Sequence, residues 1–230
     1  MNTTATPTAA QRNRELLAAM LRKKAREQTI VSQLSHGQRA LWYLYCSAPQ
    51  SAAYHVSFSA RIVSTLDIAA LRKAFQSLLD RHGALRAVFK VKDGVPVQEI
   101  PGHREIAFTV VDAASFSDGQ LRAAVARAYA LPFDLEQGPA FRVDLFRRSA
   151  AEHVLLVTVH HIVYDAWSLW LNLDEIRQLY AAHVSGRTAD LKPLEHTYRD
   201  YVRRQDEMLA GEAGERLRIP LALEAAGSTP

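Results

Sequence analysis

The amino-acid sequence predicts an α/β protein, a two-layer sandwich around a mixed β-sheet. Amphipathic helical segments alternate with short apolar segments rich in β-branched residues, which are typical of buried strands. Two hairpin signals interrupt this alternation. Asp93-Gly94 is a tight-turn dipeptide, and Ser149-Ala150-Ala151 separates two apolar runs. Because a hairpin joins antiparallel strands, the sheet is expected to contain both strand directions.

The first half of the chain predicts three helices. Residues 11–27 form a charged segment with apolar residues on one side. Ser35 is a suitable N-cap for a second helix, which ends before Pro49. Asp67 opens a third helix, which Gly83 is placed to stop. Strands are predicted over Tyr54–Val63, Leu85–Val91, Val95–Ile100 and Glu105–Val111.

The second half predicts a helix over residues 117–131, followed by a loop and a hairpin. The hairpin strands are Phe141–Arg147 and His153–Val159, and the second is an apolar run too short for a typical helix. A helix over residues 166–183 follows, and a last helix is predicted over residues 196–210. We find no internal repeat.

The composition is that of a globular protein with a substantial core, since 48% of the 230 residues are apolar and 23% are charged. No apolar run approaches the length of a transmembrane helix, so no membrane association is expected. The single cysteine, Cys46, excludes an internal disulfide and suits a reducing cytoplasm, and the polar N-terminus predicts no secretory signal. The net charge is +4, but the arginines are scattered among acids, so no nucleic-acid partner is expected.

The segment from Val159 to Ser168 carries the strongest functional signal. His160 and His161 end the predicted strand, and Asp165 stands where the next helix would begin. Side chains alternate across a strand, so the two imidazoles should point in opposite directions, with His161 on the apolar face. A neutral imidazole there can accept a proton from an incoming amine, alcohol or thiol. The helix start offers free N–H groups to a developing oxyanion.

The same segment also has a structural interpretation, in which the histidines are satisfied core residues and Asp165 serves only as a helix cap. A metal site is not indicated, since the two imidazoles diverge and no second His/Cys cluster has zinc spacing. A Ser-His-Asp hydrolase is not indicated either, because the chain contains no G-x-S-x-G segment.

Five motifs, in the same order, resemble those of condensation domains of nonribosomal peptide synthetases, in the chloramphenicol-acetyltransferase-like superfamily. They are Ser35–Leu44 (similar to SxxQxRLWxL), Arg81–Phe89 (RHExLRTxF), Pro132–Pro139 (PFDLxxGP), His160–Ala166 (HHxxxDG) and Tyr198–Tyr201 (YxDF). The resemblance implies a chloramphenicol-acetyltransferase-like lobe over residues 30–210. Residues 1–29 would be a linker or docking helix, or a helix packed on its own domain, and residues 211–230 a flexible tail.

This resemblance implies an acyltransferase that forms an amide, or less often an ester, between carrier-bound thioesters in a peptide or hybrid polyketide–peptide assembly line. His161 would be the catalytic residue, acting as a base or by positioning the amine. His160 and Asp165 would be structural. Asp165 is expected to pair with an arginine, for which Arg81 is favoured over Arg86.

Further expectations concern the surroundings of this site. Ala166, Trp167 and Ser168 would lie along the substrate tunnel. No cofactor or metal would be bound directly; phosphopantetheine would arrive on donor and acceptor carrier proteins, for which a mildly basic chain is a suitable partner. A complete condensation domain is about twice as long, so this chain would be the N-terminal lobe and would need a second lobe, in cis or in trans, to exclude water.

Two positions depart from the family motifs. Ala166 replaces a glycine, and its Cβ would narrow the space for the thioester, while Gly83 replaces a glutamate. Two other functions stay open. A truncated lobe would be a non-catalytic carrier-docking module. The spacing of His160 and Asp165 also fits the HxxxxD motif of glycerolipid acyltransferases, although the chain lacks their glycine-rich phosphate-binding motif.

Overall fold

The computed structural model describes residues 27–212 and 214–216, together with positions 17, 20 and 24. The helices with defined bounds are α1 (His36–Ser47), α2 (Ile68–Arg81), α3 (Asp118–Ala130), α4 (Ala166–Ser185) and α5 (Tyr198–Ala210). Short 3₁₀ helices span Gly83–Arg86 and His161–Val163. The strands are β1 (Thr29–Gln33), β2 (His55–Ile62), β3 (Val88–Lys92), β4 (Val95–Pro101), β5 (Ala107–Asp112), β6 (Phe141–Arg147) and β7 (His153–His160).

These strands form two sheets. The smaller sheet has the order β1-β4-β3 and is antiparallel, and the larger has the order β2-β7-β6-β5. In the larger sheet β5 and β6 are parallel and the other pairs are antiparallel, which confirms the predicted mixed sheet. Helix α3 makes the crossover from β5 to β6 that a parallel pair requires. Strand β7 is a central strand, and its last residue, His160, pairs with His55.

Helices cover the larger sheet on both faces. Helices α2 and α4 pack on one face, where Phe75 and Leu179 meet Val157 of β7. Helix α3 packs on the other face, where Leu121 and Leu156 belong to one buried apolar cluster. Because both faces of β6 and β7 are covered, consecutive residues are buried, which explains the unbroken apolar run before the two histidines. The strand is therefore a rigid support for the segment that follows it.

A second core joins the smaller sheet and α1 to the turn that follows β7. Trp42 of α1 and Phe89 of β3 are buried in this core, and Ile162 of the turn packs with them. Ser35 caps α1 as predicted: its hydroxyl accepts from the N–H of Gln38, whose side chain in turn accepts from the N–H of Ser35. This reciprocal capping box fixes where α1 begins, and hence which residues it presents to the turn.

Sequence and structure differ at two places in the first half of the chain. Strand β1 was not predicted because its residues are almost all exposed and carry no alternating pattern; pairing with β4 defines it. Helix α2 ends at Arg81 with His82 as its C-cap, so Gly83 lies at the stop position that the sequence predicts. Residues 83–86 form a 3₁₀ helix, so the strand predicted from Leu85 begins only at Val88. The predicted turn at Asp93-Gly94 is confirmed, with positive φ angles of 51° and 76°.

Other predictions lie largely outside the described residues. The helix over residues 11–27 is described only at positions 17, 20, 24 and 27, which are helical. The tail is described only to residue 216. The division into linker, lobe and tail stays a prediction. Within the described part of the chain, each helix is too short or too polar to span a lipid bilayer.

Candidate active site

The candidate active site lies where β7 ends and α4 begins. His160 is the last residue of the strand, His161 begins the 3₁₀ turn, and Asp165 is the N-cap of α4. The backbone N–H of His161 donates to the carbonyl oxygen of Tyr54, 2.8 Å away, and extends the β2–β7 pairing by one bond. The chain thus changes direction directly after His160, and the two neighbouring imidazoles lie in different environments. The prediction that His161 continues the strand on its apolar face is wrong, because His161 begins the turn and is exposed.

His161 is exposed and lines a cleft of about 630 Å³. Within the described residues its imidazole has no hydrogen-bond partner, so both ring nitrogens are free to meet a ligand. The same cleft is lined by Ser35, the N-cap of α1, by Gln38 of α1, by the end of α2, and by Tyr198 of α5. The hydroxyls of Ser35 and Tyr198 lie 2.9 Å apart and join two of the predicted motifs across it.

His160 is buried and holds the turn in place. Its Nδ1 accepts from the backbone N–H of Ile162 at 3.1 Å, so the ring proton of the neutral form lies on Nε2. The rings of Tyr54, His55 and Phe133 surround the imidazole, with centroids 6.2 to 6.4 Å away. Burial, helped by the nearby charges of His55 and His161, lowers the pKa of His160 to about 4. His160 is therefore neutral near pH 7 and acts on the turn as a hydrogen-bond acceptor.

This burial predicts a loss of stability in acid. The pKa of His160 is about 4 in the folded chain against 6.5 for a free histidine, so the unfolded chain binds the proton first as the pH falls. The contribution is fully present above pH 6.5 and is lost towards pH 4, by about 3 kcal/mol at 1.36 kcal/mol per pKa unit. Urea unfolding between pH 7.5 and 4.5 should show a smaller loss for His160→Gln than for wild type. Equal losses would contradict the prediction.

Asp165 caps α4 and, within the described residues, does not pair with an arginine. One carboxylate oxygen accepts from the N–H of Ser168 at 2.8 Å and from its hydroxyl at 2.6 Å. These bonds lower the pKa of Asp165, and the positive charge of a protonated His161 would add to the effect. The predicted oxyanion site at this helix start is correspondingly weakened, because one N–H is already bound by a carboxylate that adds negative charge.

The prediction that Arg81 binds Asp165 is wrong. Arg81 Nε contacts Glu175 Oε1 at 3.1 Å, and the same guanidinium donates to the carbonyl oxygen of Lys192. His82 Nε2 contacts the other oxygen of Glu175 at 2.6 Å. An α-helix rises about 1.5 Å per residue, so Glu175 lies about 15 Å along α4 from Asp165. Arg81 and His82 therefore fasten the end of α2 to the middle of α4, where sequence spacing alone could not locate their partner.

Arg86, the other candidate partner of Asp165, is buried. It also has a structural role, but in the described part of the chain it binds backbone carbonyl groups and not a carboxylate. Its guanidinium donates to three carbonyl oxygens: Pro101 at 2.9 Å from Nε, Asp80 at 2.7 Å, and Leu79. Burial lowers the pKa of Arg86. The side chain thus ties the end of α2 to β4 and shapes the wall of the cleft.

The residues that open α4 face solvent or the cleft. Ala166 and Trp167 are exposed, and Ser168 lines the cleft. Trp167, Trp170 and Leu171 are 72%, 71% and 54% exposed. Residues three and four positions apart share a face of a helix, so these three form one apolar face, the α4 apolar face. Isolated exposed apolar side chains are ordinary, but two neighbouring tryptophans at this exposure are typical of a contact surface.

Sequence reasoning did not select Gln38 or Glu175 as site residues. Gln38 lies in the first motif, and its position three residues after Ser35 was a usable capping signal. Its contact with the turn, to the carbonyl oxygen of Ile162, joins residues 124 positions apart and carries no local signal. Glu175 lies within a predicted helix, where nothing in its surroundings distinguishes it from a solvent-facing carboxylate.

The comparisons with known proteins agree on one family. The family model described as condensation domain matches residues 28–218. Malpinin synthetase of Mortierella alpina is 37% identical over 181 residues, which are 78% of this chain and 2% of that protein. A dimodular nonribosomal peptide synthase of Bacillus subtilis is 36% identical over 179 residues, which are 78% of this chain and 8% of that protein. The chain therefore spans a small part of the length of these relatives.

Solved structures agree with this result. The starter condensation domain of rhizomide synthetase RzmA matches with a TM-score of 0.71 at 22% identity, over 79% of this chain and 44% of that chain. This match shows the fold. The X-domain solved in a complex with OxyB, from teicoplanin biosynthesis, matches with a TM-score of 0.72 at 30% identity, over 78% of this chain and 39% of that chain.

Proposed function

We propose, because this chain belongs to the condensation domain family, that it supplies the catalytic half of a site that joins two carrier-bound substrates through an amide bond. The observation that carries this proposal is the placement of His161. A buried strand and a fixed turn bring its imidazole into a cleft of about 630 Å³. Its ring nitrogens have no partner among the described residues. The product would be a nonribosomal peptide, with ester bonds and hybrid polyketide–peptide products as variants.

The reaction that fits this site is aminolysis of a thioester. The amine nitrogen attacks the carbonyl carbon, a C–N bond forms, the C–S bond breaks, and the amine proton ends on the departing sulfur. His161 would accept that proton or orient the amine by a hydrogen bond. His160 cannot do so, because it is buried and its Nδ1 is occupied by the N–H of Ile162.

We assign supporting roles to the residues around His161. His160 and Asp165 hold the two ends of the turn between β7 and α4, His160 through Ile162 and Asp165 through Ser168. Arg86 holds the wall of the cleft. Ala166 and Ser168 would face the substrate. None of these side chains supplies a proton acceptor to the cleft comparable with the imidazole of His161.

Donor and acceptor carrier proteins, each bearing phosphopantetheine, would be the substrate-bearing partners. A second lobe would complete the site, because the chain spans 44% of the solved RzmA condensation domain and its cleft is open. The α4 apolar face supports this partner. It lies beside Asp165 at the cleft, and its two tryptophans are of the type that anchors protein interfaces when buried. We propose that the second lobe covers this face.

The proposed function is tested by adding a second lobe. This chain is combined with the second half of a condensation domain, as a fusion or as a separate chain, and with two aminoacyl-loaded carriers. We expect a dipeptidyl carrier product by mass spectrometry, and a weaker association of the lobes for Trp167→Ser/Trp170→Ser. Assembly of the two lobes without any product would count against the catalytic proposal. Unchanged association of the double variant would count against the interface.

A non-catalytic docking module is the second candidate function. The observation that favours it is the 30% identity with an X-domain that was solved in a complex with another protein, OxyB. In this case the chain would bind a protein partner through the same surfaces and would catalyse no reaction. Partner binding and the absence of product, both unaffected by His161→Ala, would distinguish this function from the first.

A further inference from the structure

Two buried glutamines connect the active-site turn to the smaller sheet. Gln38 of α1 is 2% exposed and Gln98 of β4 is fully buried. Burying an amide is unfavourable unless its donor and acceptor groups are both hydrogen-bonded, so the partners of these side chains show what the amides hold in place.

Gln38 binds the turn with one end of its amide and the start of α1 with the other. Its Nε2 donates to the carbonyl oxygen of Ile162 at 3.2 Å, and its Oε1 accepts from the N–H of Ser35 at 3.1 Å. The N–H of Ile162 is in turn bound by His160 Nδ1 at 3.1 Å. The N–H and the carbonyl oxygen of Ile162, the residue after His161, are therefore both bound by buried side chains. These side chains come from different elements.

Gln98 determines which way the Gln38 amide faces. Gln98 Nε2 donates to the carbonyl oxygen of Gln33 at 3.0 Å, which fixes its own orientation because that oxygen can only accept. The two amides then meet head to tail, at 3.4 and 3.5 Å. A flipped Gln38 would set its oxygen against the oxygen of Ile162 and its NH₂ against the N–H of Ser35. Only one orientation satisfies all of these groups.

We propose that Gln38 is a positioning residue for His161. The imidazole of His161 has no partner of its own among the described residues, so its direction depends on the backbone of the turn. Gln38 fixes that backbone at Ile162 and Gln98 fixes Gln38, which makes the smaller sheet part of the support for the site. This inference rests on the proposed role of His161, and it assigns a function to a residue outside the histidine segment.

The test compares Gln38→Leu with Gln76→Leu. Gln76 is a matched control: it too bridges backbone groups, donating to Arg104 O and accepting from the N–H of Ile106, both at 2.9 Å, but away from the active-site turn. The readouts are the rate at which diethyl pyrocarbonate modifies His161, measured by peptide mass spectrometry, and the NMR signals of its ring. We expect Gln38→Leu, but not Gln76→Leu, to change the rate of modification of His161 severalfold and to shift its ring signals. If both variants lose the same amount of stability and leave the modification rate and the ring signals of His161 unchanged, the proposal is overturned.

Two further measurements cover the case in which Gln38→Leu fails to fold. Gln98→Leu spares the bond to Ile162 and should change the His161 signals in the same direction by less. In the wild-type chain the side-chain NH₂ of Gln38 should exchange with solvent far more slowly than that of exposed Gln28. Equally fast exchange would overturn the proposal.

In the assembled enzyme, Gln38→Leu should lower kcat about tenfold or more with little change in KM, as expected when a reacting group is misplaced. A change in KM alone would contradict the positioning role. The labelling, NMR and exchange readouts need no substrate or second lobe. An absence of condensation product would therefore refute the proposed function without deciding whether Gln38 positions His161.

Discussion

Replacing His161 with alanine is expected to lower the rate of amide formation by about 10²- to 10⁴-fold, the usual contribution of a positioned general acid or base. The side chain is exposed and makes no hydrogen bond within the described residues, so its removal leaves no buried group unsatisfied. The free energy of unfolding should therefore change little, within about 0.5 kcal/mol. A large loss of rate without a loss of stability would identify a chemical role.

The measurement is single-turnover formation of the dipeptidyl product in the assembled enzyme, with carrier binding measured separately. His36→Ala is a matched control, because His36 is an exposed histidine on α1 that does not line the cleft. We expect this variant to keep the wild-type rate. A His161→Ala protein with full activity would show that the imidazole is dispensable and would overturn its assignment as the catalytic residue.

The fold and the location of the site could be predicted because their signals are local. The apolar run of β7, the cap at Asp165 and the stripe of α4 each extend over a few residues, and together they place two histidines at a strand end. Strand β1 could not be predicted in this way, because its side chains are mostly exposed and only pairing with β4 defines it. Local patterns record burial and capping, and they do not record edge pairing.

The partners of charged and amide side chains could not be predicted from local patterns either, because they depend on the tertiary arrangement. Arg81 was assigned to Asp165, but the structure pairs it with Glu175, and the choice depends on how α2 and α4 pack. Gln38 contacts a residue 124 positions away. Several carboxylates are compatible with any one arginine in the sequence, and only the tertiary arrangement selects among them. The residues that hold the site are accordingly harder to predict than the residue proposed to react.

Arg86 shows how much a supporting side chain is expected to contribute to stability. Among single substitutions near the cleft, its removal should cause the largest loss of stability. Arg86→Ala leaves three carbonyl oxygens, those of Leu79, Asp80 and Pro101, without their charged donor. Hydrogen bonds to a charged group contribute about 1.5–3 kcal/mol each, and part of the loss is recovered when water reaches the exposed carbonyls. We expect the free energy of unfolding to fall by about 3 kcal/mol.

Urea unfolding monitored by circular dichroism measures this effect. Arg127→Ala is the control, since Arg127 is an exposed arginine on α3 and its loss should change stability by less than about 0.5 kcal/mol. Arg86→Lys should recover only part of the loss, because an ammonium group cannot reproduce the planar fork that reaches all three carbonyls. The effect should persist in high salt, since buried hydrogen bonds are little screened. Equal stability of Arg86→Ala and wild type would show that solvent replaces the guanidinium at no cost, and that the wall of the cleft is held by the contact between Arg81 and Glu175 instead.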